Sequence, residues 1–340
     1  MLPRRTLTAI ASMALVCLQL PGDGATDAIV QKEFISDHAP QPTNHASTIV
    51  ETADGLLAAW FGGPEARDPL NSIYSARYDG TNWSSAVKIV EDKNGGTRYQ
   101  SWNPVLFQPS RGPLLLFYKV GPSPEKWWGM LTTSTNGGRS WTTPRPLPDG
   151  FIGPVRNKPV ELPDGSLLHG ASTEAGGWRV HMERSFGGGE RWEKTPVLNN
   201  PAEIGAIQPT LLVHDNSSIE ILCRTKQGFI AESWSRDAGK TWSPLTLTKL
   251  PNPNGAIDAV RLRDGRFVLA YNASASERNA LSVVTSEDGQ HWRPELVLEK
   301  GTGEFSYPAI IQTKDDRIHI TYSWNRQRIR HVVLDATKFQ

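Results

Sequence analysis

Six polar residues recur along the chain at roughly 50-residue spacing: His45, Asn103, Lys158, Gln208, Asp258 and Tyr307. A second set trails them, with Lys119, Glu174, Arg224 and Trp324 followed by Arg179, Arg278 and Arg326. Guanidinium forks grip carboxylates through paired hydrogen bonds, and indole faces suit a pyranose ring. The Tyr307 hydroxyl, the His45 imidazole and the Asp68 carboxyl are groups able to attack a carbon or move protons. If one mouth of a fold gathers both sets, the chemistry in view is recognition of an anionic sugar. The eight histidines show no ligand spacing, so no metal or other cofactor is expected.

Internal repeats supply the elements that must hold these groups. Trp83, Trp141, Trp192, Trp242 and Trp292 are separated by 58, 51, 50 and 50 residues, and each closes a similar phrase. The clearest copy is Ser235-Arg236-Asp237-Ala238-Gly239-Lys240-Thr241-Trp242. Its Ser and Asp oxygens can accept backbone N–H bonds and its glycine allows a positive φ, which describes a turn rather than a catalytic site. Out of phase with this series, Asp54-Gly55, Arg111-Gly112, Asp164-Gly165, Asp215 to Ser218, Asp264-Gly265 and Asp315-Asp316 each lie between a pair of apolar runs. Such breaks signal hairpins. Six of them predict an all-β fold, a six-bladed β-propeller of four-stranded antiparallel blades. The last blade lacks the turn phrase, and Ala28 to Phe34 is expected to supply its outer strand. Within a blade the first two strands run antiparallel, so the start of one and the end of the next share a mouth. That rule brings the two residue sets together.

The chain of 340 residues carries 36 basic and 35 acidic residues, which leaves no basic field for nucleic acid or anionic membrane. Arg4 and Arg5, the apolar run Leu7 to Leu20 and the small residues up to Gly24 read as a signal peptide over 1–24. The remainder, 25–340, is expected to form one domain that is secreted or periplasmic, with no membrane span after cleavage. Cys17 falls in the leader, so Cys223 would stand alone as a buried, inert thiol.

Over residues 40–335 the chain resembles the sialidase superfamily with its Asp-box repeats. The resemblance rests on the five turn phrases and on spaced segments. Gln208-Pro209-Thr210 followed by Leu222-Cys223-Arg224 looks like the segment carrying a glutamate and the second arginine of the family's carboxylate-binding triad. Arg278 is similar to the third triad arginine, and Ser306-Tyr307-Pro308 to the segment bearing the nucleophilic tyrosine. Asp68 falls about where the acid/base aspartate lies. Two positions depart from the pattern: His45-Ala46-Ser47 stands where the first arginine belongs, and Gln208 replaces the glutamate that would activate the tyrosine.

The resemblance implies an exo-acting glycosidase that removes a terminal acidic sugar from glycans. Arg224 and Arg278 would hold the carboxylate, Asp68 would protonate the leaving oxygen, and Tyr307 would take the anomeric carbon. The strand geometry of the mouth adds Asn103, Lys119, Lys158, Arg179, Asp258 and Trp324 as residues lining the sugar. Two alternatives stay open. One is a hydrolase or lyase acting on a uronate-containing glycan, with His45 and Lys158 as its acid–base groups. The other is a carbohydrate-binding propeller without catalysis.

Overall fold

The computed structural model describes residues 27–35, 40–65, 67–90, 93–94 and 97–339. The expected signal peptide lies outside them. Among the described residues no helix is long and apolar enough to cross a membrane.

Six four-stranded antiparallel sheets form the blades of a propeller. Their innermost strands are Thr43–Thr52, Ser101–Phe107, Val160–Glu161, Ala206–Val213, Asp258–Arg261 and Phe305–Gln312. Second strands such as Leu114–Val120 and Ile219–Thr225 are buried on both faces, which is why they read as apolar runs without alternation. Side chains interleave between adjacent blades, for example Leu57 and Phe61 with Leu116 and Tyr118. The outer strand of blade 6 is Ile29–Phe34, paired with Arg328–Asp335 as expected. Glu33 on that strand accepts from Trp83 Nε1 of blade 1 at 3.0 Å and sits 3.0 Å from His331 Nδ1, so the first and last described strands are tied to each other and to blade 1.

The repeated turn phrase is structural, as its chemistry suggests. Ser235 Oγ accepts the Gly239 amide at 2.8 Å, and Asp237 Oδ1 accepts the amides of Lys240 and Thr241 at 3.1 and 2.8 Å. Gly239 has φ +83°, and a Cβ there would stand 2.7 Å from Leu168 of the neighbouring blade. Asp237→Ala is therefore expected to cost about 0.5–2 kcal/mol, as loss of a backbone-capping carboxylate does elsewhere. Urea titration checks the stability, and turnover should stay at the wild-type level. A fall in kcat without a loss of stability would give the turn a role in chemistry.

Four innermost strands share one irregularity. Their pairing breaks between His45 and Thr48, Trp102 and Val105, Ile207 and Thr210, and Ser306 and Ala309. Within each break one residue has positive φ: Ala46 (54°), Asn103 (39°), Gln208 (56°) and Tyr307 (59°). Serines of the preceding blade take two of the freed amides, Ser323 that of Ala46 and Ser172 that of Gln208. Bulges of this kind re-aim side chains, and here they fall at the mouth where the polar residues gather.

Candidate functional site

Tyr307 is the centre of this mouth. Arg224 Nη1 donates to its hydroxyl at 2.9 Å and to Gln208 Oε1 at 3.1 Å, while Arg224 Nε donates to Asn254 Oδ1 at 2.9 Å. The guanidinium carbons of Arg156, Arg224 and Arg278 lie 5.5, 5.6 and 6.0 Å from the Tyr307 ring centroid. The His45 ring packs against the same ring at 4.2 Å. Arg278 donates to Asn254 O at 2.6 Å and to Glu304 Oε1 at 3.3 Å. Arg326 reaches the same carboxylate through Nε at 2.8 Å and Nη2 at 3.1 Å. A cleft of about 880 Å³ opens beside Arg278 and Glu304.

The charges set the protonation states. Burial alone would raise the Tyr307 phenol, but Arg224, Arg278 and Arg326 outweigh it and leave its pKa below the ordinary value. Burial, helped by Arg326, Arg156 and Arg278, holds His45 well below the usual imidazole range, so it is neutral. Its buried Nδ1 has no hydrogen-bond partner among the described residues. Burial also raises the Glu174 carboxyl, against the pull of nearby Arg224.

Burial would likewise raise Glu304, but bonds from Arg326 and Ser306 bring it down to about 2. A depressed carboxyl contributes stability that is present above its unfolded pKa, near 4.5, and is lost as pH falls toward about 2. Melting curves across that window should show the wild type losing stability faster than Glu304→Gln. Parallel curves would mean that the carboxylate contributes nothing to folding.

The structure thus brings together Tyr307, Gln208, His45, Arg224 and Arg278. Other residues expected at the pocket are used differently. Lys119 is completely buried between blades and donates to Pro154 O at 2.8 Å; burial pulls its pKa down to about 7, against Glu183. Lys158 pairs with Asp258 at 3.0 Å and borders a cleft of about 760 Å³ at the hairpin mouth, opposite the arginines. Asp258 also accepts from Thr210 Oγ1 and the Ile310 amide, a knot joining blades 3 to 6. Arg179 is wrapped by the carbonyls of Ala175, Gly176 and Gly177 in its own loop. Trp324 packs edge-on against Phe34 at 5.5 Å. Asn103 is buried at its bulge. Asp68 is half-buried in the loop that follows the second strand of blade 1, where Oδ1 accepts the Leu70 amide at 2.6 Å.

Two site residues carry no signal in the sequence. Arg156 precedes the repeated position by two residues in a segment without a regular strand, and Glu304 lies in the loop before the last inner strand. A third, Arg326, was legible at the mouth but not as a partner of Glu304. It brings a third guanidinium although His45 stands where the first was expected.

Among curated proteins none matches this chain in sequence. Solved structures similar in fold include a protein of unknown function from Dyadobacter fermentans, with TM-score 0.76 and 19% identity over 90% of this chain and 98% of that one. The NanB sialidase of Streptococcus pneumoniae has TM-score 0.73 and 13% identity over 92% of this chain and 71% of its own. A mutant Trypanosoma rangeli sialidase displaying trans-sialidase activity has TM-score 0.73 and 14% identity over 92% of this chain and 60% of its own. At such identities the likeness is one of fold. The family model for the BNR repeat-like domain matches residues 54–320, the span that carries the five turn phrases and most of the blades, and so this chain belongs to the BNR repeat-like family and is a sialidase-like propeller.

Proposed function

We propose that the protein is an exported glycosidase that releases a terminal acidic sugar from glycans. The observation that carries this reading is the gathering of arginines about Tyr307: Arg224 bonds its hydroxyl, Arg278 lies 6.0 Å from its ring centroid, and Glu304 joins Arg278 to Arg326. The guanidiniums of Arg156, Arg224, Arg278 and Arg326 outnumber the nearby Glu304 and Glu174 carboxyls and leave the mouth cationic, which suits a sugar bearing its own carboxylate.

In the reaction, Arg224 and Arg278 hold that carboxylate, and the Tyr307 oxygen attacks the anomeric carbon as the bond to the leaving oxygen breaks. Asp68 gives the leaving oxygen its proton. Gln208 cannot accept the phenol proton, and the arginines that hold the phenol below its ordinary pKa favour its loss to water as the oxygen attacks. Water then cleaves the tyrosyl–sugar bond while Asp68 accepts its proton and the departing Tyr307 oxygen is reprotonated from solvent. A tyrosine nucleophile suits an anomeric centre that carries a carboxylate. Residues 1–24 direct export in this reading, so the mature chain recovered outside the cytoplasm should begin near Ala25.

One observation favours a second reading. Tyr307 is polarised by a cation, with Gln208 where a carboxylate would sit, and that arrangement also suits removal of a proton beside a neutralised carboxylate. Product analysis after incubation with sialylated and uronate-bearing oligosaccharides decides. Free acidic sugar with a new reducing end supports the glycosidase; an unsaturated uronate supports elimination. Saturable binding without any product would make the protein a carbohydrate-binding propeller.

A further inference from the structure

Blade 3 has a two-residue inner strand, Val160–Glu161, and the chain just before it, 152–158, is irregular. Buried charges frame this run. Glu183 accepts the amides of Ile152 and Gly153 at 3.0 and 2.7 Å, Lys119 donates to Pro154 O, and the Val155 amide donates to Gly170 O at 3.2 Å. From that frame three consecutive side chains reach three other blades. Asn157 Nδ2 donates to Gln208 O at 3.1 Å, and Lys158 pairs with Asp258. Arg156, 1% exposed, crosses to blade 6, where Nη2 donates to Tyr307 O at 2.6 Å and Pro308 O at 2.8 Å.

Tyr307 has φ 59°, a region that a bulky residue followed by proline occupies at a cost of about 1–3 kcal/mol. Such a conformation persists where its surroundings over-determine it. Asn157 shows that a neutral amide suffices to tie an inner strand at Gln208. At Tyr307 the tie is a buried guanidinium, which is costly to desolvate, and it adds a positive charge 5.5 Å from the ring.

We propose that Arg156 is a positioning residue for Tyr307: it clamps two successive carbonyls and so holds the left-handed backbone that aims the hydroxyl at Arg224. The inference rests on Tyr307 being the reacting group, yet its physical core can be tested without substrate. Protein labelled with carbon-13 at the tyrosine ζ position gives a Tyr307 signal, assigned by its absence in Tyr307→Phe. In Arg156→Met that signal should move or split, and its titration midpoint should rise because a neighbouring cation is gone. With a turned-over sialoside, kcat should fall about 100-fold while KM changes by less than about threefold, as expected when a reacting group is misplaced rather than a binding group lost. Arg156→Lys, which keeps the charge on a shorter stem that cannot hold both carbonyls at the native distances, should recover a share of both effects.

A folded Arg156→Met protein with an unmoved Tyr307 signal and midpoint overturns the proposal. So does a KM rise with kcat intact. If Arg156→Met does not fold, Arg156→Lys decides on the same signal: displacement supports the clamp, identity with wild type refutes it. A displaced signal in a protein that turns over no glycan would sustain the clamp and defeat the glycosidase reading.

Discussion

Tyr307→Phe should lower kcat by about three orders of magnitude or more while leaving the propeller folded and the acidic sugar bound. The hydroxyl accepts one hydrogen bond, from Arg224 at 2.9 Å. Losing an ordinary hydrogen bond would cost about 1 kcal/mol, or roughly fivefold. A deficit far beyond that separates a nucleophile from a residue that merely lines the site. The backbone bonds from Arg156 go to carbonyls, which phenylalanine retains, so the variant tests the oxygen and not the fold. Trapping with a fluorinated sialoside gives the complementary result: the adduct should map to the peptide carrying Tyr307. Full turnover by the phenylalanine variant would move the chemistry to Asp68 and His45, in a mechanism without a protein nucleophile.

Arg224→Lys is the second large effect. Its guanidinium ties four elements at once: the Tyr307 hydroxyl, Gln208 Oε1, Asn254 Oδ1 and, 5.2 Å away, the Trp178 ring. Lysine keeps the charge but cannot reproduce the planar fork. Loss of charge-assisted bonds to a carboxylate is worth about 1.5–3 kcal/mol, so affinity for the free acidic sugar should fall by roughly 10- to 150-fold. Because the same group polarises Tyr307, kcat should fall as well, and kcat/KM by about 1000-fold or more. Calorimetry with the free acid isolates the binding contribution. Unchanged affinity would remove Arg224 from the carboxylate site.

The architecture was legible because it is written in repeated local chemistry. A Ser-Asp-Gly-Trp turn recurs in variant copies in five blades and a polar hairpin break in all six, and even the strand that closes the ring followed from the one missing turn. The mouth was legible for residues whose backbone position decides their exposure, such as Tyr307, Gln208 and Arg224. It was not legible where a long side chain chooses between layers. Lys119 ends a second strand, as a pocket residue would, but its ammonium turns between blades to Pro154 O. Lys158 and Asp258 stand at the repeated position and satisfy each other. Arg156 belongs to no repeat, and its target lies 151 residues away, so no local pattern announces it.

The tie between the first and last described strands bears on how the molecule assembles. Phe34 faces Arg330 across the closing ladder, so this pairing joins residues almost 300 positions apart. Five blades draw their strands from nearby sequence and can form as hairpins in chain order, whereas the sixth needs its partner strand carried from the opposite terminus. Contacts so distant along the chain are entropically late. Ring closure is thus expected late in folding, and until Arg328–Asp335 is available, strand Ile29–Phe34 lacks its partner and Glu33 lacks His331. An unpaired edge of that kind is open to other chains. Joining the termini and opening the chain between two blades would make every blade local, abolishing that interval while leaving the arginine mouth unchanged.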